Sequence, residues 1–399
     1  MSGPLANVIV LDLSRVLAGP WATQVLADFG ATVWKIERPG TGDDTRQWGP
    51  PWLSADADEA DAANLSAYFA CTNRGKHSFE VDLASADGQH IIRQLAAKAD
   101  ILVENYKVGQ LAKYGLDYAS LKAINPKLIY CSITGFGQDG PRASQPAYDA
   151  MIQAMGGIMS LTGAPDTDEQ KGEPQKVGVA ITDIMTGMYG VSAMLAALHH
   201  QRATGEGQYI DLALLDSQVA WLANQASNYL VSGNVPKAMG NAHPNIVPYQ
   251  SFAVADGHLL LAVGNDEQFR HCCEAMNLPD IANHPDFASN ALRVANKAKL
   301  VPVLAETFAQ QPLDYWIAAL NQAKVPCGPI NTLDRVFADP QVQHRQMEMH
   351  LQHPQLGDIP SVRNPVRFSA TPIGYEKAPP LLGQDNAHLI DLLTPGKPE

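Results

Sequence analysis

The side chain best suited to chemistry is Asp183. It follows a short apolar run, 177–181, and precedes a long apolar, Ala-rich run that stops at Thr204-Gly205-Glu206-Gly207. No other charge stands between Lys176 and the histidines at 199 and 200. Two readings fit a lone carboxylate there. Asp is a favoured helix N-cap, because its oxygen accepts free amide hydrogens of the first turn and the helix dipole steadies its charge. A carboxylate held that way can also act as a nucleophile toward an activated acyl group. The local sequence leaves both readings open.

Cations gather at predicted strand ends. Arg15 follows the first strand, Arg38 the second, and Lys107 and Lys113 follow the strand ending at Val103-Glu104. Open α/β sheets bind ligands outside the carboxyl ends of their strands. Three such ends, each with a cation, suit a phosphate-bearing ligand; ordinary loop charge accounts for them equally well.

The elements that must position these groups alternate. Strands are predicted over 7–13, 32–36, 79–83, 101–103, 128–133, 177–181 and 208–212, with helices over 20–29, 87–99 and 184–198 and one from 215 to about 231. This β-α-β alternation predicts a mainly parallel sheet covered by helices. The polar loop 37–46 runs into an acidic segment up to Asn64 that reads as a surface excursion. Near Gly240 the pattern changes to a hairpin, 249–253 and 258–263 joined by Asp256-Gly257, and then to helices. The expected organisation is an α/β domain over 1–215, a linker helix over 216–245, a smaller α+β domain over 246–335, and a Pro-rich, extended return over 336–399 to the first domain.

Composition narrows the function classes. The chain has 399 residues, 46% hydrophobic and 17% charged, enough for a sizeable core. Its net charge of -13 is unsuited to nucleic acid or an anionic membrane, which need cationic surfaces. Five scattered cysteines with no Cys-x-x-Cys do not form a disulfide framework. No secretory signal opens the chain, and the apolar run after Asp183 reads as short of a membrane span. A soluble protein, cytoplasmic or of an organelle matrix, is the expectation.

Other motifs have plain readings. Gly135-Phe136-Gly137-Gln138-Asp139-Gly140 matches the dinucleotide fingerprint, but Pro141 follows at once and no helix opens, so it reads as a glycine turn. Gly75-Lys76-His77 lacks the P-loop spacing. His199-His200 has no spaced third ligand, and His271-Cys272-Cys273 points its side chains to different helix faces, so no metal site is expected. No Gly-x-Ser-x-Gly elbow occurs.

Joint order carries more. Val10-Leu11-Asp12-Leu13-Ser14-Arg15-Val16-Leu17-Ala18-Gly19-Pro20, Lys35-Ile36-Glu37-Arg38-Pro39-Gly40, Asn73-Arg74-Gly75-Lys76, Val103-Glu104-Asn105-Tyr106, Pro146-Ala147-Tyr148-Asp149, Thr182-Asp183-Ile184-Met185-Thr186-Gly187, Cys327-Gly328-Pro329-Ile330-Asn331 and Leu381-Leu382-Gly383-Gln384 together resemble the class III CoA-transferases, the formyl-CoA and carnitine CoA-transferase family. Asn241-Ala242-His243-Pro244-Asn245 and Gly264-Asn265-Asp266-Glu267 bring the chain closest to the succinyl-CoA:glutarate group.

The resemblance implies an open, Rossmann-like parallel-sheet domain built from both chain ends, a small inserted domain, and two ring-like subunits interlocked as a homodimer. It implies that Asp183 is the nucleophile, and that Arg15, Val16, Ala18, Arg38, Val81, Asn105, Tyr106, Lys113 and Tyr148 contact coenzyme A. CoA and acyl-CoA would be substrates, with no permanently bound cofactor and a small dicarboxylic acid as partner substrate. Arg46 and His243 are candidates for the acid's remote carboxylate, and helix amides near Thr186 and Gly187 for steadying oxyanion charge, with Gly187 allowing substrate close to the backbone. Lys113 stands where the formyl-CoA member has arginine, and Met239-Gly240-Asn241-Ala242-His243 replaces that member's run of glycines. An α-methylacyl-CoA racemase of the same fold is the alternative, but Tyr148 stands where racemases need His. A nicotinamide oxidoreductase and a non-catalytic CoA-binding module are further alternatives.

Overall fold

The computed structural model describes residues 3–53, 65–167 and 169–394. The acidic segment read as a surface excursion lies mostly outside the described residues. Contacts divide the chain into two compact units: Met1–Ile158 with Lys176–Asn234 and Gln341–Glu399, and Met159–Gln175 with Val235–Pro340. Residues 159–175 had been expected in the large domain. They pack in the second unit, where Gly240 N donates to Gly163 O at 3.0 Å.

The first unit runs β1 (Ile9–Asp12), α1 (Ala18–Asp28), β2 (Thr32–Glu37), β3 (Lys76–Glu80), β4 (Ile101–Glu104), β5 (Ile129–Thr134), α2 (Asp149–Met155), α3 (Ile181–Thr204), β6 (Tyr209–Ala213), α4 (Leu214–Ala220) and α5 (Ala223–Ser232). The strands form one sheet in the order β3-β2-β1-β4-β5-β6, every pair parallel. Alternate side chains sort to opposite faces. Val10, Val33 and Ile101 meet Ala22 and Leu26 of α1 and Met194 of α3. Leu11, Trp34 and Leu102 meet Ile92, Leu95 and Leu389. Apolar residues on both faces are what a covered parallel sheet requires. Chain order reverses between β1 and β4, which marks where such sheets hold ligands.

Several expectations shift. The strand expected over 79–83 is β3, which starts at Lys76. Lys76 is fully buried, and its Nζ lies 3.0 Å from Asp12 on β1. A buried lysine needs such a partner, and no local pattern shows one supplied by another strand. The strand expected over 177–181 does not form; Ile181 opens α3 instead. The helix expected from 215 is two, α4 and α5, broken at Trp221 and Leu222 before Ala223 at φ 49°. At 24 residues α3 is long and apolar enough to cross a membrane, longer than the sequence suggested. It is nonetheless a core helix, with Met194, Ala197 and Leu198 buried against the sheet layer.

The C-terminal return contains an antiparallel hairpin, Glu348–His353 with Gly357–Val362, where only extended chain was expected. Further on, the side chains of Asp385 and Asn386 accept the amide hydrogens of Ser78 and Glu80 at 3.0 and 2.9 Å. They occupy the edge of β3, which would otherwise present unpaired backbone. Arg74 binds both oxygens of Asp28, at 2.8 and 2.7 Å, and donates to Val362 O at 3.0 Å. Asn364 also donates to Asp28, at 3.0 Å. Replacing Arg74 by Ala strands a buried carboxylate. The expected loss is about 3–5 kcal/mol, read from urea unfolding.

In the second unit Tyr249–Val254 and Gly257–Ala262 form the expected hairpin. A third strand, Cys327–Pro329, adds to the latter and was not foreseen. Helices Asp266–Ala275, Lys297–Phe308 and Leu313–Gln322 enclose a core that includes Phe252, Leu261, Phe269, Phe308 and Trp316.

Candidate active site

Asp183 does not cap α3. The N-cap position is Ala180, which makes no side-chain cap bond, and Asp183 is the third helical residue. The capping carboxylate belongs to Asp149, at the start of α2. Its Oδ1 accepts the amides of Thr182 at 2.8 Å and Asp183 at 3.1 Å. Gln153, one turn along α2, donates to Asp149 Oδ2 at 2.6 Å, and its own oxygen takes the amide of Val177 at 2.9 Å. The chain entering α3 is thus tied to α2 at three amides.

With capping done by Asp149, the Asp183 carboxylate receives no hydrogen bond from the described residues. Burial, and then the negative charge of Asp149, push its pKa up to about 7. This reverses the simple expectation that a helix start keeps a carboxylate fully ionised. Near neutrality roughly half of it is charged, and what is charged is unpaired. Free nucleophilic lone pairs in a low-dielectric wall are a reactive arrangement.

The amides near Thr186 and Gly187 are not available to an oxyanion. Both lie inside α3, where amides bond to the carbonyl one turn back. Gly187 serves packing instead: a Cβ there would lie 2.7 Å from Ala18 O on α1.

Asp183 lines a cleft of about 230 Å³, together with Arg15, Val16, Ala18, Asn105, Tyr106 and Tyr148. The residues around it include those following β1 and β4, where strand order reverses. Arg15 N donates to Asn105 Oδ1 at 2.9 Å, and Asn105 Nδ2 donates back to Arg15 O at 2.7 Å, so the two loops clamp each other. The Arg15 guanidinium lies over the Tyr106 ring, 5.3 Å from its centre, and pairs with Asp44 at 3.0 Å. Tyr148 is 69% exposed.

Three predicted residues stand outside the cleft wall. Arg38 is exposed directly after β2, and Lys113 is exposed on the turn Leu111–Tyr114. Val81 follows β3 with its side chain in the core, 3% exposed, and its amide donates to Glu37 O at 2.9 Å. Each follows the carboxyl end of a strand. Arg46 is not free for a substrate: Nε and Nη2 bind the two Glu37 oxygens, both at 2.7 Å. His243 belongs to the second unit, where its Nδ1 accepts the Asn245 amide at 3.1 Å. The Gly135–Gly140 run is a turn that opens no helix, as read, with Gly135 in the cleft wall.

Two contributors were missed. Asp149 carries the same signal as Asp183, an acid at a helix start. Tyr68 carried none. It sits on the single turn Ala67–Ala70, and burial followed by the Asp183 charge pushes its phenol up to about 12. The Trp48 ring meets the Tyr68 ring edge-on, centres 5.1 Å apart.

The family model of CoA-transferase family III matches residues 5–386. A succinate–glutarate CoA-transferase from Agrobacterium fabrum is 51% identical over 389 residues, covering 97% of this chain and 95% of its own length. The succinyl-CoA:glutarate CoA-transferase of Homo sapiens is 43% identical over 388 residues, covering 97% of this chain and 85% of its own. The crystal structure of a CAIB/BAIF family protein from Brucella suis matches with a TM-score of 0.85 at 48% identity, over 98% of this chain and 100% of that one. Likeness of this extent, in sequence and in fold, leaves one conclusion: the chain belongs to CoA-transferase family III.

Proposed function

We propose that this transferase moves coenzyme A from a succinyl-CoA-like donor to a small dicarboxylate such as glutarate, through an aspartyl-CoA thioester on Asp183. The carrying observation is the Asp183 carboxylate, unbonded among the described residues and set in the wall of a cleft at the sheet's switch point. The carboxylate attacks the donor thioester carbonyl, and CoA leaves as thiolate, giving a mixed anhydride. The thiolate attacks the aspartyl carbonyl, which releases the donor acid and leaves the enzyme thioester. The acceptor carboxylate attacks that thioester and expels the thiolate again. The thiolate then attacks the acceptor carbonyl, forming the new acyl-CoA and restoring the Asp183 carboxylate.

Arg15, Val16, Ala18, Asn105, Tyr106 and Tyr148 are the proposed CoA contacts in the cleft, with Arg38, Val81 and Lys113 beyond it. The proposed domain plan remains a large body from both chain ends with a smaller one inserted, and the proposed assembly is an interlocked homodimer. Supporting an assembly, α5 buries none of its residues, and Leu230 and Val231 are 79% and 89% exposed. Contiguous apolar surface of that kind marks interfaces.

Incubation with succinyl-CoA and hydroxylamine, followed by peptide mass mapping, tests the mechanism. Modification at Asp183 is expected; an enzyme that turns over with Asp183 unmodified overturns it. A second expectation concerns Asp44, whose carboxylate holds the Arg15 guanidinium. Asp44→Asn frees the cation for phosphate. The Kd for CoA should fall by about threefold at low salt, as suits an exposed pair. Calorimetry showing no change would count against Arg15 as a phosphate contact.

A further inference from the structure

Val16 has φ 70°, in the left-handed region. Among the described non-glycine residues at positive φ it is the only β-branched one; the others are Ala223, Asn277, Lys324 and Gln346. A valine there is strained, and such strain persists only where the surroundings impose it. Glycine would take this conformation freely. Valine in its place means that the side chain is used, and Val16 lines the cleft that holds Asp183.

The surroundings that impose it are specific. The Val16 amide points at the Asp43 carboxylate, 3.2 and 3.3 Å from its two oxygens. Asp43 also accepts from Thr45 N at 3.0 Å and Thr45 Oγ1 at 2.8 Å. Lys35 Nζ lies 2.9 Å from Asp43 Oδ2, both side chains being fully buried, and donates to Ser14 O at 3.0 Å. Ser14 N in turn donates to Asp12 Oδ1 at 2.9 Å. Each backbone unit from Ser14 to Val16 is therefore gripped by a side chain rooted elsewhere: Asp12 on β1, Lys35 on β2, Asn105 after β4, and Asp43. Burial works against the Asp43 charge, yet Lys35 and Thr45 hold its pKa down to about 2. The grip stays charged across any working pH.

We propose that Asp43, locked by Lys35, is a positioning residue that keeps Val16 in the left-handed conformation and so shapes the acyl-CoA cleft beside Asp183. This rests on the cleft being the CoA site. Asp43 touches no reacting atom in this scheme; it acts through the Val16 backbone.

The test compares Asp43→Ala, which removes the acceptor of the Val16 amide, with the same change in a Val16→Gly background, in the full-length enzyme. Asp43→Ala should raise KM for succinyl-CoA by about tenfold, the scale of one released backbone strain, with kcat changed far less. Adding Val16→Gly should restore KM to within about threefold of Val16→Gly alone, because glycine needs no grip to turn left-handed. A purely structural Asp43 would lower thermal stability without rescue by glycine. An unchanged KM in Asp43→Ala, or a rise that persists in the glycine background, overturns the proposal. Should Asp43→Ala leave Lys35 uncompensated and the protein unfolded, the paired change Lys35→Met with Asp43→Leu removes both charges together, which folds tolerate better. It is read in the same way, with and without Val16→Gly. Hydrogen exchange across residues 13–20 reads the grip without substrate. Faster exchange in the Asp43 variant supports it and unchanged exchange overturns it. A wild-type enzyme that forms no Asp183 adduct overturns only the transferase reading.

Discussion

Asp183→Asn is expected to abolish CoA transfer and, at about pH 8, to raise the melting temperature above that of the wild type. The loss of transfer follows because an amide nitrogen cannot attack a thioester and form the anhydride. The gain in stability follows from the proton balance. The Asp183 pKa rises from 3.8 to about 7 on folding. Between those values the folded protein holds a proton that the unfolded chain has lost. Stability therefore falls as pH rises through that window and stays low above it. Three units correspond to at most about 4 kcal/mol, and less in practice because the residue is partly open to water. Asn has the same shape and carries no charge to desolvate, so the variant escapes the loss. Melting curves from about pH 4 to about pH 8 should start close together and separate by a few degrees as pH rises. A variant that melts below the wild type at high pH would show that the carboxylate is not held at a cost.

The second large effect is expected at Asp149. Its carboxylate does two things to its neighbour: it fixes the first turn of α3 through two amides, and it adds to the burial that suppresses Asp183 ionisation. Two substitutions separate them. Asp149→Asn keeps an oxygen for the amides and drops the charge. The acid limb of kcat/KM, expected near 7 from the raised Asp183 pKa, should move to lower pH, though only part of the way, since burial is the larger cause. Activity near pH 6 then rises relative to activity near pH 8. Asp149→Ala removes the acceptor as well. Losing such a cap costs about 1–2 kcal/mol, and with Asp183 no longer fixed, kcat should drop by about tenfold or more at every pH. Rate profiles of both variants decide it; an Asn variant with the wild-type profile would mean that the Asp149 charge does not reach Asp183.

Much of the frame was legible because its signals are local. Strands β1, β4 and β5 are short, largely apolar runs, and α1 starts near Pro20 and is followed by Gly30, a residue at φ 98°. What escaped depends on partners distant in sequence. Lys76 looks unfit for a buried strand until Asp12, on another strand, is placed beside it. Arg46 looks like a substrate cation until Glu37 takes two of its nitrogens. Gly187 looks like room for a ligand until α1 occupies that room. At Asp183 the structural role was assigned in error, because the cap of α3 is supplied by Asp149. A helix start needs one capping carboxylate, and nothing in the spacing of Asp149 and Asp183 shows that the earlier one supplies it for the later one's helix.

The side-chain closure of β3 has a consequence for how the molecule is made. Ser78 and its partner Asp385 are 307 residues apart. A ribosome adding about 5–20 residues per second needs roughly 15–60 s to span that distance. Throughout that interval β3 has emerged while the groups that seal its edge have not yet been made. The Arg74–Asp28 pair likewise waits for Val362 and Asn364. The danger to this protein thus lies less in the finished fold than in the nascent chain, whose open strand is a template for other chains until translation is nearly complete.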